Sequence, residues 1–357
     1  SIIKVDTIQD QAGNNIINES SNTITIGASG DTITIPSGAS LTSDGTINGV
    51  VIKYNITNFT QSLLISEDGN TGTLDSANRN TGIGYLVFNS LTSGDENTAV
   101  GWKALQGLTT GSSNTVMGRA SMATNSTGSC NTSIGKEALF ANTTASNNTA
   151  VGDKALTANT TASNNTAIGT SALCANTTGA TNVAVGLCAL KANTTADDNT
   201  SIGGQTLSAN TTGASNTALG QGALFTNTTA SNNTALGRHA LLLNTTGACN
   251  TAIGYESLRS NTTAHHGVAV GYEALDANTT PNGNVGIGFR AAKSNVTGSS
   301  ITAVGHCALS ANTGNNNTAV GFDSLKANQG GASNTAVGNL ALAANSSASG
   351  NVAVGHN

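Results

Sequence analysis

The sequence predicts an all-β protein, a parallel β-solenoid with coils of 17 residues. One pattern recurs from about residue 80 to the end, one glycine marks each copy, and aliphatic residues keep fixed places around it. A period this short cannot hold a helix pair or a propeller blade, so each copy is one coil of β-structure. Successive glycines are 17 residues apart, except Gly305 and Gly321, which are 16 apart. The glycines are Gly84, Gly101, Gly118, Gly135, Gly152, Gly169, Gly186, Gly203, Gly220, Gly237, Gly254, Gly271, Gly288, Gly305, Gly321, Gly338 and Gly355.

Two apolar columns predict the core of the coil. With the glycine as position 0, position −1 is a medium-sized apolar residue, as in Val151 and Ile168, and position +4 is nearly always leucine, as in Leu156 and Leu173. We expect two short strands in each coil, around −4 to −1 and around +2 to +5, with both columns pointing inward. Stacked at about 4.8 Å, 17 coils form a rod roughly 80 Å long.

Position −2 holds a very small residue in nearly every coil, as in Ala150, Ala167 and Ala184. In a strand it faces away from position −1, yet no charged or long polar side chain occurs there. The column is either a tight turn or an internal second layer of the coil, or it is a face buried against sister chains. Because one such coil buries little apolar surface alone, we favour the contact with sister chains.

Asparagine fills two further columns, position −4 (Asn148, Asn165) and position +7 (Asn159, Asn176). Both are predicted corners, because asparagine tolerates left-handed backbone geometry and its amide can bond to the amide one coil away. The short repeat lacks a residue between 312 and 317, so the segment from +8 to +12 is the loop that accepts insertions and deletions.

Composition excludes several classes of protein. Charged residues make up 9% and aromatic residues 3% of the chain, which by itself suggests disorder, but a disordered tract has no reason to keep a core register over 16 intervals. A net charge of −5 without a basic run argues against nucleic-acid binding, and no apolar stretch is long enough to insert into a membrane. Five scattered cysteines predict free thiols and assembly in a reducing compartment.

Residues 1–79 follow another rule. Residues 1–17 alternate apolar and polar side chains, a repeat of nine residues occupies 23–39, and residues 51–66 resemble strands. We predict two regions: a β collar at 1–79 that caps the first coil or attaches the rod to other fibre or virion proteins, and the repeat array at 80–357.

The repeat Asn-Thr-Ala-Val-Gly-x-x-Ala-Leu resembles the head repeats of trimeric bacterial adhesins. That resemblance implies a left-handed β-roll in which three chains associate, here with a slightly longer loop. The segments Ile-Lys-Val-Asp-Thr-Ile-Gln-Asp and Thr-Ile-Thr-Ile-Pro-Ser-Gly resemble the N-terminal parts of bacteriophage tail fibres. Such fibres often carry a self-cleaving C-terminal chaperone domain, and an ending within a coil fits cleavage, truncation or a disordered remainder.

No motif predicts catalysis. The sequence has no nucleophile elbow, no phosphate-binding glycine loop and no Cys and His spacing that suits a metal. The pairs Asp197-Asp198 and His265-His266 lie in the variable loop, where solvated turns are the simpler interpretation. We therefore expect a protein that is not an enzyme and that uses neither a cofactor nor a metal.

One surface column is unusual in a chain so poor in aromatic residues. Position +1 holds a ring in five consecutive coils and in the first two, Tyr85 and Trp102. The five rings are either a platform for sugar faces or a cover over a groove between chains, and both interpretations stay open. These glycan-binding candidates are Tyr255, Tyr272, Phe289, His306 and Phe322.

Together these features predict a homotrimeric structural fibre and adhesin. The expected role is that of a phage tail fibre in the virion, outside the cell, which spaces and binds a host-surface glycan with avidity from three copies. The alternative is a trimeric adhesin on a bacterial surface or a self-assembling extracellular filament. An ice-binding face is a further alternative, because paired threonines recur, but the loops that carry them vary in sequence.

Overall fold

The structure is a computed structural model that describes residues 46–47, 50–66 and 71–356. Within these residues all regular structure is β-strand. The strands are β1 (Thr46–Ile47), β2 (Val50–Ile56), β3 (Phe59–Ser66), β4 (Thr81–Ile83), β5 (Thr98–Val100), β6 (Thr115–Met117), β7 (Thr132–Ile134), β8 (Thr149–Val151), β9 (Thr166–Ile168), β10 (Val183–Val185), β11 (Thr200–Ile202), β12 (Thr217–Leu219), β13 (Thr234–Leu236), β14 (Thr251–Ile253), β15 (Val268–Val270), β16 (Val285–Ile287), β17 (Thr302–Val304), β18 (Thr318–Val320), β19 (Thr335–Val337) and β20 (Val352–Val354).

The repeats form a parallel β-solenoid, as predicted. From β4 to β20 each strand pairs in parallel with the next, and equivalent positions lie opposite each other, as Ala150 does opposite Ala167. Strands β1, β2 and β3 pair antiparallel, and β3 pairs in parallel with β4. The shared register stacks like on like, so every column of the sequence becomes a column of the structure.

The side of the strand that faces the core is the opposite of the one predicted. Ala150, Ala167 and Ala184 are 0% exposed within the single chain, so they line the coil interior and cannot contact a sister chain. Val151 is half-buried and Ile168 is 40% exposed, which places the −1 column on the outer face. The internal second layer, one of the two interpretations of position −2, is therefore correct.

The narrow coil interior explains this choice. The +4 leucines, among them Leu156 and Leu173, are fully buried and fill most of the space, as predicted, so the facing strand has room for little more than a methyl group. Where position +4 is the larger Phe88, position −2 is Gly82, and a Cβ atom on Gly82 would lie 2.8 Å from the Phe88 ring. In this coil the larger +4 side chain thus takes the space of the −2 side chain.

The predicted second strand is a turn. Within each regular coil the structure has a single strand of three residues, and positions +2 to +5 form consecutive turns. The backbone is left-handed at Lys154 (φ 57°) and at Leu156 (φ 50°), which prevents an extended strand. A left-handed leucine costs about 1–2 kcal/mol, and burying its side chain contributes roughly 1.5–3 kcal/mol, so burial offsets the cost at Leu156.

The asparagine ladders are confirmed. In the +7 column the Nδ2 atoms of Asn159 and Asn176 donate to the Oδ1 atoms of Asn142 and Asn159, at 3.1 and 3.0 Å. In the −4 column the backbone N–H of Asn165 donates to Asn148 Oδ1 at 2.9 Å. The left-handed residues lie in other columns, +2, +4 and +12, so these asparagines do not adopt the left-handed geometry expected of them and serve as buried hydrogen-bonding groups.

The shortened repeat keeps its strand pairing. Asn312 Nδ2 donates to the carbonyl of Gly314, two residues on, where Asn159 reaches Ala162, three residues on. Strands β17 and β18 remain paired in parallel. The missing residue is therefore absorbed between +8 and +12, the loop that the sequence indicates.

Residues Thr46–Asn357 form one compact unit. The described strands of the predicted collar, β1 to β3, belong to this unit because β3 pairs with β4. The repeats of nine residues and the attachment segment predicted within 1–45 lie outside the described residues.

Candidate functional site

The outer face of the strands is a continuous uncharged surface, here called the aliphatic strip. It consists of the outward positions −3 and −1 of the 17 strands β4 to β20, with threonine or valine at −3 and isoleucine, valine, leucine or methionine at −1. Met117 is 52% and Leu219 43% exposed. None of these positions carries a charge, although a sheet face in contact with water normally does.

The five predicted ring positions form a stack along successive coils. Centroids of neighbouring rings from Tyr255 to Phe322 lie 5.2, 5.4, 5.0 and 4.9 Å apart, and the ring planes differ by 12–14°. The rings therefore cover each other's faces, and the inner three present only their edges to solvent. The rings stack at coil spacing, as predicted, and the glycan site assigned to them stays a prediction.

Ion pairs flank the aromatic stack at positions +2 and +5. Glu273 binds Arg290 Nε at 2.8 Å and Lys293 Nζ at 2.6 Å, and Arg259 Nε lies 2.7 Å from Asp276 Oδ1. Burial alone would raise the pKa of Glu273, but the hydrogen bonds from Lys293 and Arg290 outweigh burial and hold that pKa below its ordinary value. These pairs join neighbouring coils through side chains.

At the end of the stack lies a group of possible metal ligands. A ring nitrogen of His306, Cys307 Sγ and a carboxylate oxygen of Asp323 all lie within 4.8 Å of one another. Burial, followed by the charge of Asp323, raises the pKa of the Cys307 thiol. Sequence reasoning missed this group because it searched for metal-ligand spacing along the chain, whereas Asp323 is brought in from the next coil. The sequence pattern that could have indicated the group is histidine and cysteine at positions +1 and +2 of one coil, followed by an acidic residue at position +2 of the next coil.

A depression of about 460 Å³ lies near the first coils. Trp102 and Phe140 line it together with Ala120 and Ala123, whose small side chains leave the space. Lys103 Nζ lies 4.4 Å and the Arg119 guanidinium 5.0 Å from the centre of the Trp102 ring. The Arg119–Glu137 ion pair adds polar atoms to this lining.

The paired histidines and aspartates of the variable loop include residues that bond to the backbone of a neighbouring coil, and the cysteines are unpaired. His265 Nδ1 accepts a hydrogen bond from the backbone N–H of Ala248 at 3.0 Å, so this histidine ties two loops together. Asp197 likewise accepts from the backbone of Ala180 at 2.7 Å. All five cysteines are free thiols, as predicted.

Comparison of the chain with profiles of known protein families and with curated protein sequences finds no match. None of the segments that the structure describes is a helix with the length and apolarity needed to cross a membrane.

Proposed function

We propose that this chain is the subunit of a homotrimeric fibre, a rigid spacer with an adhesive role and no catalytic one. The observation that supports the proposal best is the aliphatic strip, which runs uncharged along all 17 coils of the single chain. Its occupants are further copies of the same chain. The proposed contact between the three chains is formed by the −1 and −3 columns instead of the alanine column.

The size of the strip supports self-association. At about 4.8 Å per coil, 17 coils extend roughly 80 Å, and a contact roughly 10 Å wide along them covers about 800 Å² per chain. Stable interfaces bury about 800 Å² on each partner, whereas the largest apolar patch of a typical monomer is about 300–600 Å². Identical repeats also present a regular surface that an identical repeat can match along its whole length.

The mass of the chain in solution, measured by light scattering, tests this proposal. We expect three times the mass of one chain, and the triple substitution Ile202→Lys, Leu219→Lys and Leu236→Lys should reduce it to the mass of one chain. These side chains are 37–43% exposed in the single chain, so the coil itself should still fold. A wild-type monomer would contradict the proposal.

The control places the same charges on another face of the same three coils, at the exposed loop residues Thr212, Thr229 and Thr246. This variant should keep the mass of the wild type. If it dissociates as readily as the strip variant, added charge rather than the strip explains the effect.

Within this class we propose a phage tail fibre, located in the virion and exposed outside the cell, whose N-terminal region attaches to other fibre or virion proteins. The resemblance of residues 1–45 to tail-fibre segments favours it over a trimeric adhesin of a bacterial surface or a self-assembling filament. An N-terminal secretion signal encoded in the full gene would favour the adhesin instead.

We further propose a host-surface glycan as the receptor. The depression beside Trp102 has a size, an aromatic wall and a charged rim that suit a small saccharide, whereas the inner rings of the stack offer edges. On a glycan array Trp102→Ala should lose binding and Tyr272→Ala should retain it. The reverse result would return the receptor site to the aromatic stack, and equal binding by both variants would contradict a glycan site at either place.

A further inference from the structure

The cluster of His306, Cys307 and Asp323 has the composition of a metal site. His306 and Cys307 are positions +1 and +2 of the Gly305 coil, and Asp323 is position +2 of the next coil. His306 Nδ1 lies 3.7 Å from Asp323 Oδ1, and all three ligand atoms lie within 4.8 Å of one another. Ligands of a tetrahedral zinc ion, with bonds of about 2.0–2.3 Å, are separated by about 3.3–3.8 Å.

The environment of the Asp323 carboxylate independently favours a bound cation at this cluster. The residue is 7% exposed, and its Oδ2 atom accepts a hydrogen bond from Lys326 Nζ at 2.8 Å. Its Oδ1 atom is buried, has no hydrogen-bond partner and lies on the side of His306. A buried carboxylate oxygen without a partner is costly, and a cation at this point would satisfy it.

The aromatic stack fixes the histidine. Its imidazole lies between the rings of Phe289 and Phe322, at 5.0 and 4.9 Å and within 14° of parallel. Because aromatic rings stack on both sides of the imidazole, the ring cannot rotate freely and its nitrogen atoms keep fixed directions. The ligand is thus oriented before any ion arrives, which lowers the entropic cost of binding.

The neighbouring cations do not prevent an ion from binding here. Arg290 and Lys293 are both paired with Glu273, at 2.8 and 2.6 Å, so their charge is partly compensated. Lys326 holds the second oxygen of Asp323 and leaves Oδ1 toward the cluster.

We propose that His306 Nδ1, Cys307 Sγ and Asp323 Oδ1 bind one divalent ion of the zinc class, with a fourth position open to water. Thiolate and imidazole together select such an ion over calcium or magnesium, which take oxygen ligands. Binding exchanges the thiol proton of Cys307 for a metal–sulfur bond and releases that proton to solvent, with no change of oxidation state. The ion would join the shortened coil to its neighbour, and this inference is independent of the trimer.

Cobalt(II) titration of the full chain, kept reduced and freed of metal, tests the site. We expect one cobalt per chain, the visible bands of a tetrahedral ion and a thiolate-to-cobalt charge-transfer band that zinc removes. Cys307→Ser should abolish the charge-transfer band, and His306→Gln and Asp323→Asn should each weaken binding at least tenfold. Circular dichroism confirms that each variant is folded.

Cys188 provides the matched control. It occupies the same +2 position in another coil, but its neighbours at +1 and at +2 of the next coil are Leu187 and Gln205, which bind zinc poorly. Cys188→Ser should leave the cobalt spectrum unchanged. A spectrum that persists in Cys307→Ser, that disappears in Cys188→Ser, or that the wild type never develops would overturn the proposal.

Discussion

Replacing Asn159 by alanine tests how much the +7 asparagine column contributes to the solenoid. The side chain is fully buried and makes three hydrogen bonds. Its Nδ2 atom donates to Asn142 Oδ1 at 3.1 Å and to the carbonyl of Ala162 at 2.9 Å, and its Oδ1 atom accepts from Asn176 Nδ2 at 3.0 Å.

The size of the destabilisation depends on which hydrogen bonds the partners of Asn159 keep after the substitution. The Ala162 carbonyl keeps a hydrogen bond from Asn148 Nδ2, and Asn176 Nδ2 keeps one to the carbonyl of Gly179. Asn142 Oδ1 loses its donor inside the coil. The other two partners each keep a bond, so we count about 1 kcal/mol for the bond to Asn142 and about 1–3 kcal/mol for its orphaned buried acceptor, and expect a destabilisation of about 2–4 kcal/mol.

Hydrogen exchange followed by mass spectrometry measures this effect locally, which matters because stability in a repeat array is a sum over neighbouring coils. Peptides that span residues 142–176 should exchange roughly 30- to 1000-fold faster. Asn345→Ala is the control, because Asn345 donates the same two kinds of bond from a partly exposed position. If both variants change by the same amount, or if exchange around Asn159 is unaltered, burial of the ladder is not what stabilises the coil.

Two further predictions concern the backbone and the ion pairs. Gly152→Ala should destabilise the array by roughly 2–5 kcal/mol in urea unfolding, because φ is +135° and the new Cβ would lie 2.6 Å from the Gly169 backbone, whereas Gly204→Ala meets no atom within 4 Å and should be neutral. The lowered pKa of Glu273 contributes stability above the ordinary carboxyl value of about 4.3, and this stability is lost as the pH falls through the folded value. Thermal midpoints from pH 7 to pH 3 should therefore fall less in Glu273→Gln than in the wild type; an equal fall would exclude this carboxyl as a source of acid sensitivity.

The period of 17 residues in the sequence was enough to determine the fold class. A glycine every 17 residues, a +4 leucine and two asparagine columns admit one economical explanation, a stack of identical coils. The buried Leu156 and the Asn142–Asn159–Asn176 ladder follow because a residue repeated at one place in a stack must meet its own copies. The position of the shortened loop was readable for the same reason.

Which face of the strand is buried was decided only by tertiary structure. Alternation along a strand separates Ala150 from Val151 but does not say which one is inside, and hydrophobicity alone favours the wrong one. The decision depends on the volume that Leu156 leaves in the coil, a property of the folded cross-section that admits a methyl group. The same is true of the turn at +2 to +5, where left-handed residues replace an extended strand.

Some features of the surface were likewise determined by the sequence, and others only by the tertiary structure. The sequence by itself determined the columns, including the five rings from Tyr255 to Phe322, because a column consists of the residues at one position of successive repeats. Only the tertiary structure decided that those rings cover one another, that the strip at −1 faces outward and that Asp323 meets His306. Orientation and contact between coils depend on how the backbone turns at each corner, and the sequence pattern leaves that direction open.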